Sequence, residues 1–159
     1  MKSIWLSALA SAGLLTLSGA TLAADIPEQH EDLARKAISI LTRPELAPIF
    51  GPDSRPEVPF LAPAHRDGKP ILLAGRIDRL VVTPQSVIIV DFKSDAVAPA
   101  DPAAVPASYL TQLALYAMVA NQLFAGRAVK TAILWTGLES LMELAPEQLV
   151  SAARSFTID

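Results

Sequence analysis

Apolar residues recur along this chain with two different periods, and these periods predict where its helices and strands lie. Between Glu28 and Leu41, apolar residues are spaced three and four apart with charges between them, as in an amphipathic helix. Prolines between positions 44 and 59 end that helix and predict an extended, turn-rich connector. The later elements predicted from the pattern are strands at Val58–Leu61, Ile71–Val82 and Val87–Phe92, a helix at Ala107–Phe124, strands at Val129–Trp135 and Leu141–Leu144, and a final helix beginning at Pro146.

The order of these elements is helix, three strands, helix, two strands and helix, which predicts an α/β domain. The helix at Ala107–Phe124 has the strongest signal, because its apolar residues form one stripe and Gly126 follows in a position typical of a helix end. That stripe consists of Leu110, Leu113, Ala114, Ala117 and Ala120.

The composition fits one globular domain with its own hydrophobic core. The chain has 159 residues, of which 52% are hydrophobic and 18% charged, and this balance excludes a disordered chain. The formal net charge of −3 argues against coating nucleic acid through global charge, although it allows a local basic groove. The absence of cysteine excludes disulfides, a thiolate nucleophile and cysteine-ligated metal sites.

Residues 1–24 differ in character from the rest of the chain. Lys2 precedes an apolar run from Ile4 to Leu17, and small residues follow up to Asp25, which is typical of a secretory signal peptide. The run is too short to predict a transmembrane helix. A buried N-terminal helix or a non-native start are the alternatives. We therefore expect a signal-like or non-native segment at 1–24 and one domain at 25–159.

Two aspartates and a lysine are expected to meet at one end of the predicted hairpin. If the hairpin is symmetric about Pro84–Gln85, Asp78 lies directly opposite Asp91, with Cβ atoms about 5 Å apart on one face. Lys93 follows Asp91 by two residues and shares that face. Two carboxylates so close repel each other unless a positive charge lies between them, and their oxygens suit Mg²⁺ or Mn²⁺.

A purely structural explanation of the same residues is also open. In it, Asp78 pairs with Arg76 or Arg79, and Asp91 only ends a strand beside Lys93. An isolated Asp-x-Lys occurs often by chance, so the opposed Asp78 and the downstream helix are the observations that favour a functional site.

Three stretches, in this order along the chain, resemble the PD-(D/E)xK nuclease superfamily, and within it the C-terminal nuclease domain of the RecB/AddA branch of double-strand-break repair helicase–nucleases. They are Gly75-Arg76-Ile77-Asp78-Arg79-Leu80, Val90-Asp91-Phe92-Lys93-Ser94 and Tyr109-Leu110-Thr111-Gln112-Leu113-Ala114-Leu115-Tyr116. The likeness covers roughly residues 25 to 150. It implies a restriction-endonuclease-like α/β core, with a mixed central sheet flanked by helices, and magnesium-dependent hydrolysis of DNA phosphodiesters.

The resemblance assigns roles to particular residues. It implies that Asp78 and Asp91 bind Mg²⁺ or Mn²⁺ and that Lys93 acts on the attacking water and the phosphate. It also implies that Gln112 and Tyr116, four apart on one helix face, line the site. Two candidate accessory residues are Glu57, which resembles a glutamate on the family's first core strand, and Arg76, which strand alternation places on the face of Asp78 to hold a phosphate.

The sequence also departs from the family's pattern. Ser94 stands where a threonine is usual, and the upstream helix that carries a histidine in Gly-x-x-x-His is missing; His30 has no such context. The helicase motor and its phosphate-binding loop are missing as well. These departures predict a nuclease module truncated on its N-terminal side.

The expected partners are DNA and a helicase subunit or domain of an AddAB/RecBCD-like complex, with no membrane partner. The alternative function is a weak or inactive remnant of the nuclease fold that binds DNA or a helicase without cutting. The DNA-repair interpretation predicts a cytoplasmic protein, whereas residues 1–24 predict export if they are a signal peptide.

Overall fold

The computed structural model describes residues 28–95 and 97–158. The chain divides into two compact units, Met1–Ser39 and Ile40–Asp159, and helix α1 (Glu28–Thr42) begins in the first and ends in the second. The signal-like segment 1–24 lies outside the described residues. Within the described residues, no helix is both long and apolar enough to cross a membrane.

The second unit is built on a mixed β-sheet. Its strands are β1 (Ser54–Arg66), β2 (Lys69–Val82), β3 (Ser86–Lys93), β4 (Ala128–Trp135), β5 (Ser140–Leu144) and β6 (Phe156–Ile158). Its helices after α1 are α2 (Ala47–Phe50), α3 (Ala107–Leu123) and α4 (Pro146–Ala152), with 3-10 turns at Pro44–Leu46 and Pro102–Ala104. The described strands form one sheet in the order β5-β4-β3-β2-β1-β6, in which β3 and β4 are parallel and the other neighbours antiparallel. The predicted α/β core with a mixed, helix-flanked sheet is confirmed.

Strand β3 lies inside the sheet and buries side chains on both faces. Ile89 and Ile133 belong to the core cluster that packs against α3, whereas Val90 and Leu134 belong to a second cluster with Ile49 of α2. Because successive side chains of a strand point to opposite faces, the cluster under α3 and the cluster at α2 lie on opposite sides of the sheet. Asp91 and Lys93 continue the series of Ile89 and therefore lie on the α3 side.

The predicted short strand at Val58–Leu61 is wrong in its length. Strand β1 has 13 residues and contains three prolines, at positions 56, 59 and 63, of which the first two were predicted to be part of a connector. A proline cannot donate to a strand ladder and is tolerated at a sheet edge. Strand β6 pairs only with Ala64–Arg66, so most of β1 is such an edge.

Strand β6 and helix α2 were not predicted. Strand β6 has three residues, and its partner in β1 is distant in the chain, so no local pattern marks it. Helix α2 is a single turn inside the proline-rich stretch, with Pro48 in its first turn, a position that tolerates proline.

The alternation of strand β2 is interrupted beside the predicted site. Ile77 and Leu80 are three residues apart, yet both belong to the cluster under α3. On the neighbouring strand, the register places Glu57 opposite Asp78, and Glu57 has a φ of 53°, which is unusual for a residue with a side chain. Face assignments by simple alternation therefore do not hold across the stretch from Ile77 to Leu80.

Gly75 allows β2 to approach the aromatic side chains beneath it. A Cβ atom at this position would lie 2.6 Å from two ring atoms of Phe60 and 3.2 Å from the ring of Tyr116. The two rings already pack edge to face, with centroids 5.4 Å apart. The absence of a side chain at Gly75 is therefore a packing requirement.

We expect Gly75→Ala to lower the free energy of unfolding by about 1–3 kcal/mol, because the added methyl group overpacks this contact. Urea denaturation measures the change. Gly51→Ala is the control, since a Cβ there meets backbone atoms no closer than 3.4 Å. Adding Phe60→Leu should relieve part of the loss, and a Gly75→Ala protein as stable as the parent would contradict this account of the packing.

Candidate active site

The two aspartates lie where strands β2 and β3 separate. Arg79 pairs with Val90, and continuing this register places Asp78 opposite Asp91, as the symmetric turn predicts. The backbone N–H of Phe92 donates to Asp78 Oδ2 over 2.8 Å. The carboxylate thus accepts a hydrogen bond from the neighbouring strand, just beyond the last backbone pair. Among the described contacts it forms no ion pair with Arg76 or Arg79.

Asp91 and Lys93 form a buried ion pair beneath α3. Asp91 is 1% exposed and Lys93 is 3% exposed, and Lys93 Nζ bonds Asp91 Oδ2. Carboxylates and ammonium groups are almost never fully buried unless they are paired, because each loses its hydration. The structure therefore brings these two predicted residues together in an environment that separates them from bulk water.

Gln112 connects both members of the ion pair. Its Oε1 accepts from Lys93 Nζ at 3.1 Å, and its Nε2 donates to Asp91 Oδ1 at 3.0 Å and to the hydroxyl of Tyr116 at 2.8 Å. An ammonium only donates and a carboxylate only accepts, so one orientation of the amide satisfies both. Gln112 therefore fixes the relative position of Asp91 and Lys93.

Tyr116 completes this network on the side of β2. Its hydroxyl donates to the backbone carbonyl of Arg76 over 3.0 Å. Burial raises the pKa of Tyr116; the charges of Asp91 and Asp78 act in the same direction, while the hydrogen bond from Gln112 opposes them. The hydroxyl therefore stays protonated at neutral pH and remains a donor to the strand.

Tyr109 contacts Lys93 but was not predicted. Lys93 Nζ lies 4.3 Å from the centroid of the Tyr109 ring. Tyr109 precedes Gln112 by three residues and Tyr116 by seven, so all three lie on one face of α3. That spacing was a usable signal, but an aromatic residue at a helix start is more often part of a core.

Glu57 and Arg76 form their own ion pair. Arg76 Nε lies 2.7 Å from Glu57 Oε2, and the arginine is largely exposed while the glutamate is half-buried. Glu57 Oε1 is buried and accepts no hydrogen bond. The guanidinium of Arg76 is thus paired with Glu57, and its predicted contact with a phosphate stays a prediction.

The donor atoms at Asp78 and Asp91 suit Mg²⁺ or Mn²⁺. Both are hard cations that take oxygen ligands, and Mg²⁺ is commonly held by one or two carboxylates while keeping several waters. No group of three or more His, Cys, Asp or Glu residues in the described part of the chain is arranged to hold a metal.

Comparison with known proteins gives a family match over most of the chain. The model of the PD-(D/E)XK nuclease superfamily matches residues 13–153, and thus begins upstream of residue 25. No curated protein matches the sequence.

Two solved structures are similar. A candidate exonuclease of Eubacterium rectale superposes with a TM-score of 0.54 at 14% identity, covering 84% of this chain and 52% of its own. This chain thus spans about half of that protein's length. A protein named SSO0001 has a TM-score of 0.42 at 16% identity, over 80% of this chain and 66% of its own. The similarity to the Eubacterium rectale structure shows the fold alone.

We expect Lys93→Ala to lower the free energy of unfolding by about 3 kcal/mol or more, because it leaves the Asp91 carboxylate buried without its cation. Adding Mn²⁺ should restore more stability to this variant than to the parent, since the ion supplies the missing charge. Urea denaturation with and without Mn²⁺ measures both effects. Lys69→Ala, at the exposed β1–β2 turn, is the matched control. Equal decreases in the free energy of unfolding in Lys93→Ala and Lys69→Ala would contradict the role of the ion pair.

Tyr116 should also make stability depend on pH in the alkaline range. Its pKa is raised above the ordinary value of 10.0, so folding retains the proton that the unfolded chain loses. The stability that the protonated hydroxyl contributes is fully present below pH 10 and declines as the pH rises through the folded-state pKa. Between pH 8 and 11, the free energy of unfolding should fall less steeply with pH for Tyr116→Phe than for the parent. Urea denaturation at each pH measures it, and identical slopes would contradict the raised pKa.

Proposed function

Because the chain belongs to the PD-(D/E)XK nuclease superfamily, we propose that it is a divalent-metal-dependent deoxyribonuclease that uses Asp78, Asp91 and Lys93. The observation that carries this proposal is the buried Asp91–Lys93 pair beneath α3, with Asp78 opposite it where two strands separate. The hydrogen bond from Phe92 explains an acceptor at position 78, whereas a shared cation also explains why this acceptor is a carboxylate opposite Asp91.

Asp78 and Asp91 would hold Mg²⁺ or Mn²⁺. When bound, such an ion lowers the pKa of a coordinated water and offsets the negative charge of the phosphate. Lys93 lies beside Asp91 and is a donor only, so it suits contacts with a phosphate oxygen or with the attacking water. Gln112 keeps Lys93 and Asp91 in fixed relation, and Tyr116 anchors Gln112 to the backbone of β2.

The finer assignment to a RecB/AddA-type nuclease of double-strand-break repair is part of this proposal. It is supported by the order of the three motif stretches and by the Gln112–Tyr116 spacing. In that setting the protein acts in the cytoplasm and receives DNA from a helicase subunit or domain. The net charge of −3 agrees with such delivery, because an acidic protein gains little DNA affinity by itself.

Metal binding is tested by the substitution Asp78→Asn. The amide oxygen of asparagine still accepts the hydrogen bond from Phe92, so the change removes charge while keeping this contact. We expect calorimetric titration with Mn²⁺ to give binding by the parent protein and at least tenfold weaker binding by the variant, roughly the effect of one ligand. Asp53→Asn, in the exposed turn before β1, is the control. Equal affinities in all three proteins would contradict the proposed ligands.

Cleavage is tested with linear single- and double-stranded DNA at low salt. We expect Mg²⁺-dependent hydrolysis that EDTA abolishes and that Lys93→Ala removes, because the lysine acts on the reacting groups. Lys69→Ala should cut like the parent. Cutting that resists EDTA or survives Lys93→Ala would mean that the chemistry lies elsewhere. A folded, metal-bound protein that does not cut would favour the inactive remnant.

A further inference from the structure

We infer that Tyr109 is a positioning residue for Lys93, with its ring face holding the ammonium group toward the reacting atoms. This inference rests on the proposed role of Lys93 in catalysis. It adds to the site a residue to which the resemblance assigns no role, and it explains how a flexible side chain is kept in one place.

The contacts of the ammonium group carry the inference. Lys93 Nζ bonds Asp91 and Gln112, and it lies 4.3 Å from the centroid of the Tyr109 ring. A cation over an aromatic face is attracted by the negative charge density there, and the attraction is stronger when the cation is removed from water. Lys93 is 3% exposed, so this condition is met.

Tyr109 is itself held by two contacts. Its hydroxyl donates to the carboxylate of Asp95, at 3.2 Å from Oδ1 and 3.1 Å from Oδ2. Its ring lies beside Trp135, with centroids 6.2 Å apart. Burial, followed by Asp95, raises the pKa of Tyr109, so the hydroxyl remains a donor at neutral and moderately alkaline pH.

These contacts link the two elements that carry the site. Asp95 follows Lys93 by two residues, just after the end of β3, and Tyr109 lies in the first turn of α3. The hydrogen bond between them therefore joins the end of the strand to the start of the helix. A ring fixed at this junction limits where the lysine side chain can move.

An aromatic ring face suits the positioning of the Lys93 ammonium group better than a third oxygen acceptor would. An ammonium group has three donors, and two of them are used by Asp91 and Gln112. An aromatic face attracts the charge but is a weaker acceptor than a carboxylate. Among the described contacts the third N–H has no oxygen acceptor, so it would donate to the phosphate oxygen or the water when DNA is bound.

The first test is the NMR signal of the Lys93 ammonium group in the full chain, assigned by its loss in Lys93→Met. Protons over an aromatic face are shifted upfield by the ring. We expect this upfield shift in the parent and in Tyr109→Phe, which keeps the ring, and its loss in Tyr109→Leu. A Lys93 signal that is the same in the parent and in Tyr109→Leu would overturn the inference, whether or not the protein cuts DNA.

The second test is the cleavage rate of proteins with phenylalanine or its mono-, di- and trifluorinated forms at position 109. Fluorine withdraws charge from the ring face at almost constant size, so a packing role would leave the rate unchanged. We expect a stepwise fall that reaches about tenfold, the effect of a lost buried cation–π contact. The same replacements at Phe124, a half-buried ring elsewhere on the chain, should have no effect. Equal cleavage rates for all the replacements at position 109, in a protein that cuts DNA, would overturn the inference.

The two tests separate this inference from the proposed function. A parent protein without metal-dependent cleavage contradicts the nuclease proposal, and the NMR signal then decides the positioning of Lys93 by itself. Should Tyr109→Leu fail to fold, the near-isosteric fluorinated series supplies the NMR comparison, with an upfield shift that shrinks as fluorine is added. An upfield shift that stays constant along the series would overturn the inference.

Discussion

Burying an ammonium group beside a carboxylate costs several kcal/mol of lost hydration for each ion, and the structure around Lys93 and Asp91 offsets that cost. Their mutual attraction is one contribution, and the amide of Gln112, which bonds both ions, is another. Gln112 belongs to α3 and the two ions belong to β3, so the packing of this helix on the sheet and the polarity of the site depend on each other. A helix that shifted along the sheet would break the bonds of Gln112 to both ions.

The position of the site follows from the way the sheet is assembled. Strand β3 is central, with β4 parallel on one side and β2 antiparallel on the other, and β2 leaves β3 after the Arg79–Val90 pair. Beyond that pair β2 continues with β1 as a hairpin. The gap between diverging strands is where carboxylates can face each other without a backbone ladder between them. Asp78 uses it to accept the N–H of Phe92, which would otherwise lose its partner.

The sequence predicted the central part of this arrangement because the controlling patterns are local. The Pro84–Gln85 turn fixed the register of β2 and β3, and the apolar stripe of α3 fixed which face packs on the sheet. The long β1 was missed because its prolines predict a connector, and only the edge position of the strand makes them acceptable. The contacts of Tyr109 with Lys93 and of Arg76 with Glu57 depend on tertiary packing and on the backbone at Glu57, which residue spacing does not encode.

In the proposed nuclease site, Asp78 and Asp91 share one divalent cation. The direct measurement is anomalous X-ray diffraction from crystals of the full chain grown with Mn²⁺. We expect one strong anomalous peak within about 2.2 Å of an oxygen from each aspartate, the bond length typical of small divalent ions on carboxylates. A well-ordered structure with no peak there, or with Mn²⁺ bound only at other carboxylates, would contradict it.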